Sequence, residues 1–225
     1  GFALAERAAR ELADYFDEQV RARRAAPGDD LVSLLATTPE LTGDEITATC
    51  VHLLTAGHET TTNLLGKSVL HLSARPDVAE ALRASPALVP SAVAELVRFD
   101  PPVQMITRWA TRTQTLGDRE IPAGDKVVLV LGSANRDPAR FTAPDEIVVD
   151  RDTSRQCGFG MGVHYCLGAQ LAKAEAEIAL PLLLDTLPGF GVGEVRYARD
   201  LVFHGPASLT LTAKGGTGAP APPAR

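Results

Sequence analysis

The chain has 225 residues, of which 45% are hydrophobic and 22% charged, as is typical of a globular protein with an apolar core. Its formal net charge of -6 and its lack of a clustered basic stretch exclude a nucleic-acid partner, and no uninterrupted apolar run or signal-peptide pattern indicates a membrane partner. The three cysteines are too few and too odd in number for a disulfide framework, so a reducing cytoplasm is the expected location.

Helical signals dominate the first hundred residues. Thr42 and Glu45 form a capping box, and helical periodicity continues from there until Pro76, which predicts one helix of about 30 residues. Prolines at positions 76 and 90 suit the first turns of two shorter helices. In chain order, helices are predicted at residues 1–24, 31–36, 42–76, 76–84 and 90–98.

The pattern changes after these helices. A small sheet is predicted at 103–131, a mostly irregular segment at 132–165 and a strand pair at 190–212. A helix follows Cys166, and Pro181 is expected to kink or end it. Residues 214–225 are rich in glycine and proline and are predicted to be a disordered tail, which leaves 1–213 as the folded domain.

Gly57 lies in the middle of the long predicted helix. Glycine there costs about 1 kcal/mol relative to alanine, and Glu59 and Thr60 can form competing local hydrogen bonds, so the helix should be weak or widened, or else simply tolerate a surface flaw. The stretch His58–Thr62 resembles the H-E-x-x-H zinc motif, but Thr62 stands where the second histidine is needed. A zinc hydrolase is therefore excluded.

Residues 158–168, GFGMGVHYCLG, place four glycines around one histidine and one cysteine. A thiolate that binds a soft metal needs donors directed at its sulfur and freedom from bulky neighbours, which the glycines supply, and the helix start after Cys166 favours a negative charge. The ordinary alternative is that Cys166 is simply a small buried hydrophobic residue. A phosphate-binding loop would need a third glycine where Tyr165 stands. A zinc site needs four ligands, and Cys157, His164 and Cys166 supply only three.

The segment from Phe159 to Gly168, F-G-x-G-x-H-x-C-x-G, resembles the haem-binding signature of the cytochrome P-450 family, the haem-thiolate monooxygenases. The resemblance implies that Cys166 is the axial metal ligand of haem b, that is, iron-protoporphyrin IX. It also implies that His164 binds a haem propionate, that Phe159 packs beside the sulfur, and that Gly160 and Gly168 line the cofactor.

The segment Ala56–Thr61 resembles the same family's oxygen-binding A-G-x-[DE]-T pattern. The resemblance implies that the helix faces the haem at Ala56 and Gly57, that Thr60 hydrogen-bonds dioxygen and that Glu59 helps to relay protons. Cleavage of the O–O bond requires protons delivered in a site that otherwise excludes water, which suits these residue types.

Glu95 and Arg98 have the spacing of an ion pair on one helix face. Most such pairs are solvated, but this one resembles the family's E-x-x-R motif, a structural pair that supports the cysteine loop. The family commonly adds an arginine before an aromatic residue, whereas this chain has Glu146-Ile147 there, so Arg151 is a candidate substitute.

Arg108 matches a position that pairs with a haem propionate in the family, although an exposed strand arginine is an equally reasonable interpretation. Gln156 stands where relatives often carry another propionate-binding histidine. The resemblance covers residues 1–213 and corresponds to the carboxyl-terminal half of a bacterial family member.

The resemblance implies a mainly α (α+β) cytochrome P-450 fold with a long central helix, a cysteine-ligand loop and a small sheet. It implies an enzyme that inserts one atom of O2 into an apolar small-molecule substrate, with electrons from NAD(P)H delivered by a ferredoxin-type donor and its reductase. The competing hypothesis is a truncated, inactive interaction module that binds haem weakly or not at all.

Overall fold

The computed structural model describes residues 2–186 and 189–213, and the predicted disordered tail lies outside them. The described helices are α1 (Phe2–Ala25), α2 (Leu31–Ala36), α3 (Gly43–Ala74), α4 (Pro76–Ala84), α5 (Val89–Phe99), α6 (Leu131–Ala134) and α7 (Ala169–Thr186). The strands are β1 (Met105–Trp109), β2 (Gln114–Leu116), β3 (Arg119–Ile121), β4 (Lys126–Val130), β5 (Phe190–Tyr197) and β6 (Pro206–Ala213). The predicted mainly α (α+β) class is confirmed.

The long helix α3 begins at the predicted capping box. The Glu45 amide donates to Thr42 Oγ1 at 3.3 Å, and the Thr42 amide donates to Glu45 Oε2 at 2.9 Å. The helix is α-helical through Gly57, so the expected widening there is wrong. The cost of one glycine, about 1 kcal/mol, is small beside the backbone hydrogen bonds that continue on both sides of it.

The chain divides into two compact units, and the division falls between Glu59 and Thr60, inside α3. The core of the first unit consists of Phe16, Val20, Ala36, Ile46 and Cys50. In the second unit, α4, α5 and α7 bury their apolar faces in one cluster together with the beginning of β5. The second unit also contains the cysteine loop.

The strands in the described ranges form three two-stranded antiparallel pairs. The β-rich structure predicted at 103–131 is confirmed and consists of two antiparallel pairs, because β2 pairs with β3 across a short turn at Gly117 while β1 pairs with β4. Gly117 has φ 63°, a left-handed conformation that glycine adopts without strain. The predicted final strand pair is confirmed as β5 and β6.

Helix α7 does not end at Pro181 but continues to Thr186. A proline inside a helix costs about 3 kcal/mol, since it removes a hydrogen bond and crowds the preceding turn. Leu180 and Leu184 lie on either side of it and are only 1% and 2% exposed. Their burial in the core holds the last turn in helical form.

No helix in the described ranges combines the length and apolar character that a bilayer span requires.

Candidate functional site

The cysteine loop folds back tightly on itself. The Cys166 amide donates to the Phe159 carbonyl at 2.8 Å, and the Tyr165 amide donates to the Gly162 carbonyl at 3.0 Å. Gly160 and Gly162 adopt φ values of 73° and 65°, and a Cβ on Gly160 would lie 3.2 Å from the His164 carbonyl oxygen. The turn therefore requires glycine at these positions.

The end of the loop that carries the sulfur is open. Cys166 and His164 are exposed, and Val163 and Leu167 expose 97% and 85% of their surfaces. A Cβ on Gly168 would meet no atom within 4 Å. Cys166 is therefore not the buried hydrophobe of the ordinary alternative, and its thiol is accessible beside an apolar surface.

The other end of the loop is anchored in the protein. Phe159 packs against the apolar cluster of the second unit, and the Lys173 ammonium lies 5.4 Å from the centre of its ring. A Cβ on Gly158 would lie 2.7 Å from Val97 Cγ1 on α5, so the backbone of the loop approaches α5 as closely as glycine allows. Packing thus fixes the loop at its base and leaves its tip free.

Glu95 and Arg98 form a fully buried ion pair rather than a solvated one. Arg98 Nε donates to Glu95 Oε2 at 2.7 Å, Nη2 donates to Oε1 at 2.9 Å, and both side chains have 0% exposure. The remaining guanidinium bonds go to the carbonyl oxygens of Asn135, Pro144 and Glu146 at 2.8 to 3.0 Å. A charge-assisted network therefore joins α5 to the irregular segment.

Arg151 joins this network. Its Nε donates to Glu95 Oε1 at 3.0 Å, and the Val148 amide donates to the same oxygen at 2.9 Å. Arg151 also donates to the carbonyl oxygens of Thr142 and Ala143. The structure thus places Arg151 as the second arginine on the Glu95 carboxylate.

The predicted oxygen-binding residues lie on α3. Gly57 and Glu59 are exposed, whereas Ala56 and Thr60 are half-buried. The division between the two units separates Glu59 from Thr60. These residues therefore lie on one continuous helix, although they belong to two different units.

Arg108 lies on β1 opposite Val127 of β4, and its guanidinium is exposed. Its Nη1 donates to the carbonyl of Thr107 at 2.9 Å. Arg108 is therefore an exposed strand arginine, as the alternative interpretation expected. A solvent-facing guanidinium is also the donor that a haem carboxylate needs.

In the part of the chain that the structure describes, no group of three or more histidine, cysteine, aspartate or glutamate side chains is arranged to hold a metal ion. Cys157, one of the three candidate zinc ligands, has its thiol 3.1 Å from Asn135 Oδ1. Burial raises the pKa of the Cys157 thiol. Sequence reasoning missed Asn135, and its fully buried amide is a property that only the folded chain reveals.

One protein-family model covers most of the chain. The family model Cytochrome P450 matches residues 2–85 and 87–187. The chain belongs to the cytochrome P450 family. Putative cytochrome P450 133B2 of Xylella fastidiosa is 42% identical over 182 residues, which cover 79% of this chain and 46% of that protein. The chain spans about half the length of the curated relatives it matches.

Solved cytochrome P450 structures share the fold. The versatile cytochrome P450 enzyme CYP109B1 from Bacillus subtilis has a TM-score of 0.89 at 35% identity, with 93% of this chain and 58% of that chain covered. P450BioI, solved with an acyl carrier protein carrying hexadec-9Z-enoic acid, has a TM-score of 0.86 at 38% identity, with 90% and 53% covered. The predicted cytochrome P450 fold is therefore confirmed.

The family implies haem and dioxygen as cofactors, and the cytochrome P450 loop of this chain fits a haem. An exposed thiol stands beside an open apolar surface at Val163 and Leu167, and the exposed His164 supplies an imidazole for a carboxylate. Haem combines a thiolate-binding iron, a flat apolar ring and two carboxylates. The donor set and the shape of the loop match those three needs.

Proposed function

We propose that this chain provides the cysteine ligand of a haem-thiolate monooxygenase that inserts one atom of dioxygen into an apolar small molecule. The observation that carries the proposal is the exposed Cys166 thiol at the tip of a glycine-shaped loop. Bound haem would supply the activation of dioxygen, which protein side chains do not provide.

The cysteine loop has the following roles in this proposal. Cys166 holds the iron by its sulfur, and Gly160 and Gly168 leave room for the flat ring. Phe159, fixed by its packing against the core, would lie beside the sulfur. His164 and Arg108, both exposed, pair with the two propionates.

The α3 residues have the complementary role. The Thr60 hydroxyl would donate a hydrogen bond to dioxygen, and Glu59, which is exposed, would exchange protons with solvent. Gly57 carries no side chain and is exposed, and a Cβ there would meet no atom within 4 Å. Ala56 adds only a methyl group.

The proposal includes the rest of the system. Electrons come from NAD(P)H through a ferredoxin-type donor and its reductase, in the cytoplasm, and residues 1–213 form the part of the cytochrome P450 domain that this sequence contributes. The alternative is a truncated, catalytically inactive interaction module that binds haem weakly or not at all.

A spectrum separates the two functions. Purified chain is mixed with haem, reduced under carbon monoxide and compared with Cys166→Ser. We expect the native chain to show a thiolate-type Soret band and the variant to lose it, because serine oxygen does not replace a thiolate as a ligand.

Cys157→Ser is the matched control, since it changes a half-buried cysteine of the same segment and keeps a hydroxyl donor. It should retain the band. Absence of haem uptake by the native chain would support the interaction module, and an unchanged band in Cys166→Ser would refute the assignment of the ligand.

A further inference from the structure

Asn135 lies directly after α6 and is completely buried. Its carbonyl oxygen accepts a hydrogen bond from Arg98 Nη1 at 2.8 Å, and its own amide donates to the Leu131 carbonyl at 2.9 Å. The backbone of Asn135 is therefore fixed on one side by the buried Glu95–Arg98 pair and on the other by its helix.

The side chain of Asn135 points to the cysteine loop. Oδ1 accepts a hydrogen bond from the Cys157 amide at 2.8 Å and a second from the Cys157 thiol at 3.1 Å. Among the residues that the structure describes, Nδ2 has no hydrogen-bond partner. The two donors fix the orientation of the side-chain amide, because the reverse orientation would set N–H groups against the Cys157 amide.

Further hydrogen bonds connect Cys157 to Cys166, the proposed haem ligand. The Cys157 carbonyl accepts from the Gly160 amide at 2.9 Å, and the Phe159 carbonyl accepts from the Cys166 amide at 2.8 Å. A series of short contacts therefore runs from the Glu95–Arg98 pair through Asn135 to the residue that carries the sulfur.

We propose that Asn135 is a positioning residue that transmits the rigidity of the buried Glu95–Arg98 pair to the cysteine loop. A carboxylate–guanidinium pair is rigid because both partners are fully bonded, but within the described ranges neither the Glu95 nor the Arg98 side chain forms a hydrogen bond to residues 157–166. Asn135 contacts both groups. Its backbone is bonded to the pair and its side chain to the loop.

Hydrogen–deuterium exchange of the chain without haem tests this role directly. In Asn135→Leu, which keeps similar volume but lacks an acceptor, the peptide covering residues 156–166 should exchange about tenfold faster than in the native chain. The peptide covering α5 should keep its native rate. Equal acceleration of both peptides, or no acceleration of the loop, would overturn the proposal.

Two variants sharpen the comparison. Asn135→Asp keeps an acceptor oxygen in the same place and should retain slow exchange of the loop. Ser133→Ala changes an exposed side chain of α6 and should behave like the native chain. If Asn135→Leu does not fold, Asn135→Ser replaces it, because its shorter side chain withdraws the acceptor while adding no bulk.

The expected effect of Asn135 on haem binding by Cys166 rests on the proposed function. After addition of haem and reduction under carbon monoxide, Asn135→Leu should show a smaller thiolate-type share of the Soret absorption than Asn135→Asp. Equal shares would contradict the transmission to Cys166. If the native chain takes up no haem, the proposed function fails, while the exchange experiment still decides the role of Asn135 in the loop.

Discussion

The Glu95 carboxylate shows how much one buried residue can organise. It accepts four hydrogen bonds, two from Arg98, one from Arg151 and one from the Val148 amide. A buried ion pair need not be more stable than an apolar replacement, but removal of one partner leaves an uncompensated charge. The two arginines therefore depend on this single anion.

Glu95→Gln should lower the free energy of unfolding by about 3–5 kcal/mol, because the fully buried Arg98 guanidinium and the partly buried Arg151 guanidinium lose their counter-ion. Urea denaturation followed by circular dichroism measures this loss. Glu80→Gln, on the exposed face of α4, is the control and should change stability by less than about 0.5 kcal/mol. A Glu95 variant as stable as this control would show that the arginines find other anions.

At the scale of elements, Asp100 joins α3 to the end of α5. Its Oδ1 lies 2.6 Å from Lys67 Nζ, and its Oδ2 lies 2.9 Å from His71 Nε2. Burial lowers the pKa of Lys67, which is 1% exposed, although Asp100 opposes this effect. Burial alone would raise the pKa of Asp100, but the hydrogen bonds from His71 and Lys67 outweigh it and the pKa lies below its usual value.

This cluster predicts a dependence of stability on acid. A carboxyl whose pKa is lower in the folded chain stabilises the fold above its unfolded pKa, about 3.9, and loses that contribution as the pH falls through the folded value. Asp100→Asn should therefore be less stable at neutral pH and should lose less stability than the native chain below about pH 4.

Urea midpoints measured between neutral and acid pH test this expectation. Asp118→Asn, in the exposed turn between β2 and β3, is the matched control and should follow the native pH profile. Parallel profiles for Asp100→Asn and the native chain would show that the cluster contributes no acid sensitivity.

At the scale of the whole molecule, one face of α7 exposes several large apolar side chains. Leu171, Ile178 and Leu182 of α7 are 65%, 67% and 62% exposed. Their spacing places them along one face of the helix, opposite the buried face that contains Leu180 and Leu184. Exposed apolar patches of this kind favour association or the binding of apolar molecules.

The triple change Leu171→Glu, Ile178→Lys and Leu182→Glu should reduce self-association and the fluorescence of a bound apolar dye while leaving the helical circular dichroism unchanged. Sedimentation velocity and dye titration measure these effects. The pair Gln170→Lys and Glu175→Lys, also exposed on α7, serves as the charge-changing control. Equal association of the triple variant and the control would exclude this face as the cause.

Local signals in the sequence determined the elements and the ligand loop. The Thr42–Glu45 capping box predicted the start of α3, and the glycines around Cys166 predicted a loop with freedom from bulky neighbours, because these features depend on residues within a few positions of each other. The motif also named Glu95 and Arg98 as partners.

Only the tertiary structure decided which of these groups are buried and what lies between them. Arg98 finds its carbonyl acceptors 37 to 48 positions away, and the Cys157 amide finds Asn135 at 22 positions. Helix α7 continues beyond Pro181 because distant residues bury its flanks. Hydrogen bonds and apolar contacts across such separations depend on how the elements pack, and no local pattern of residues encodes that packing.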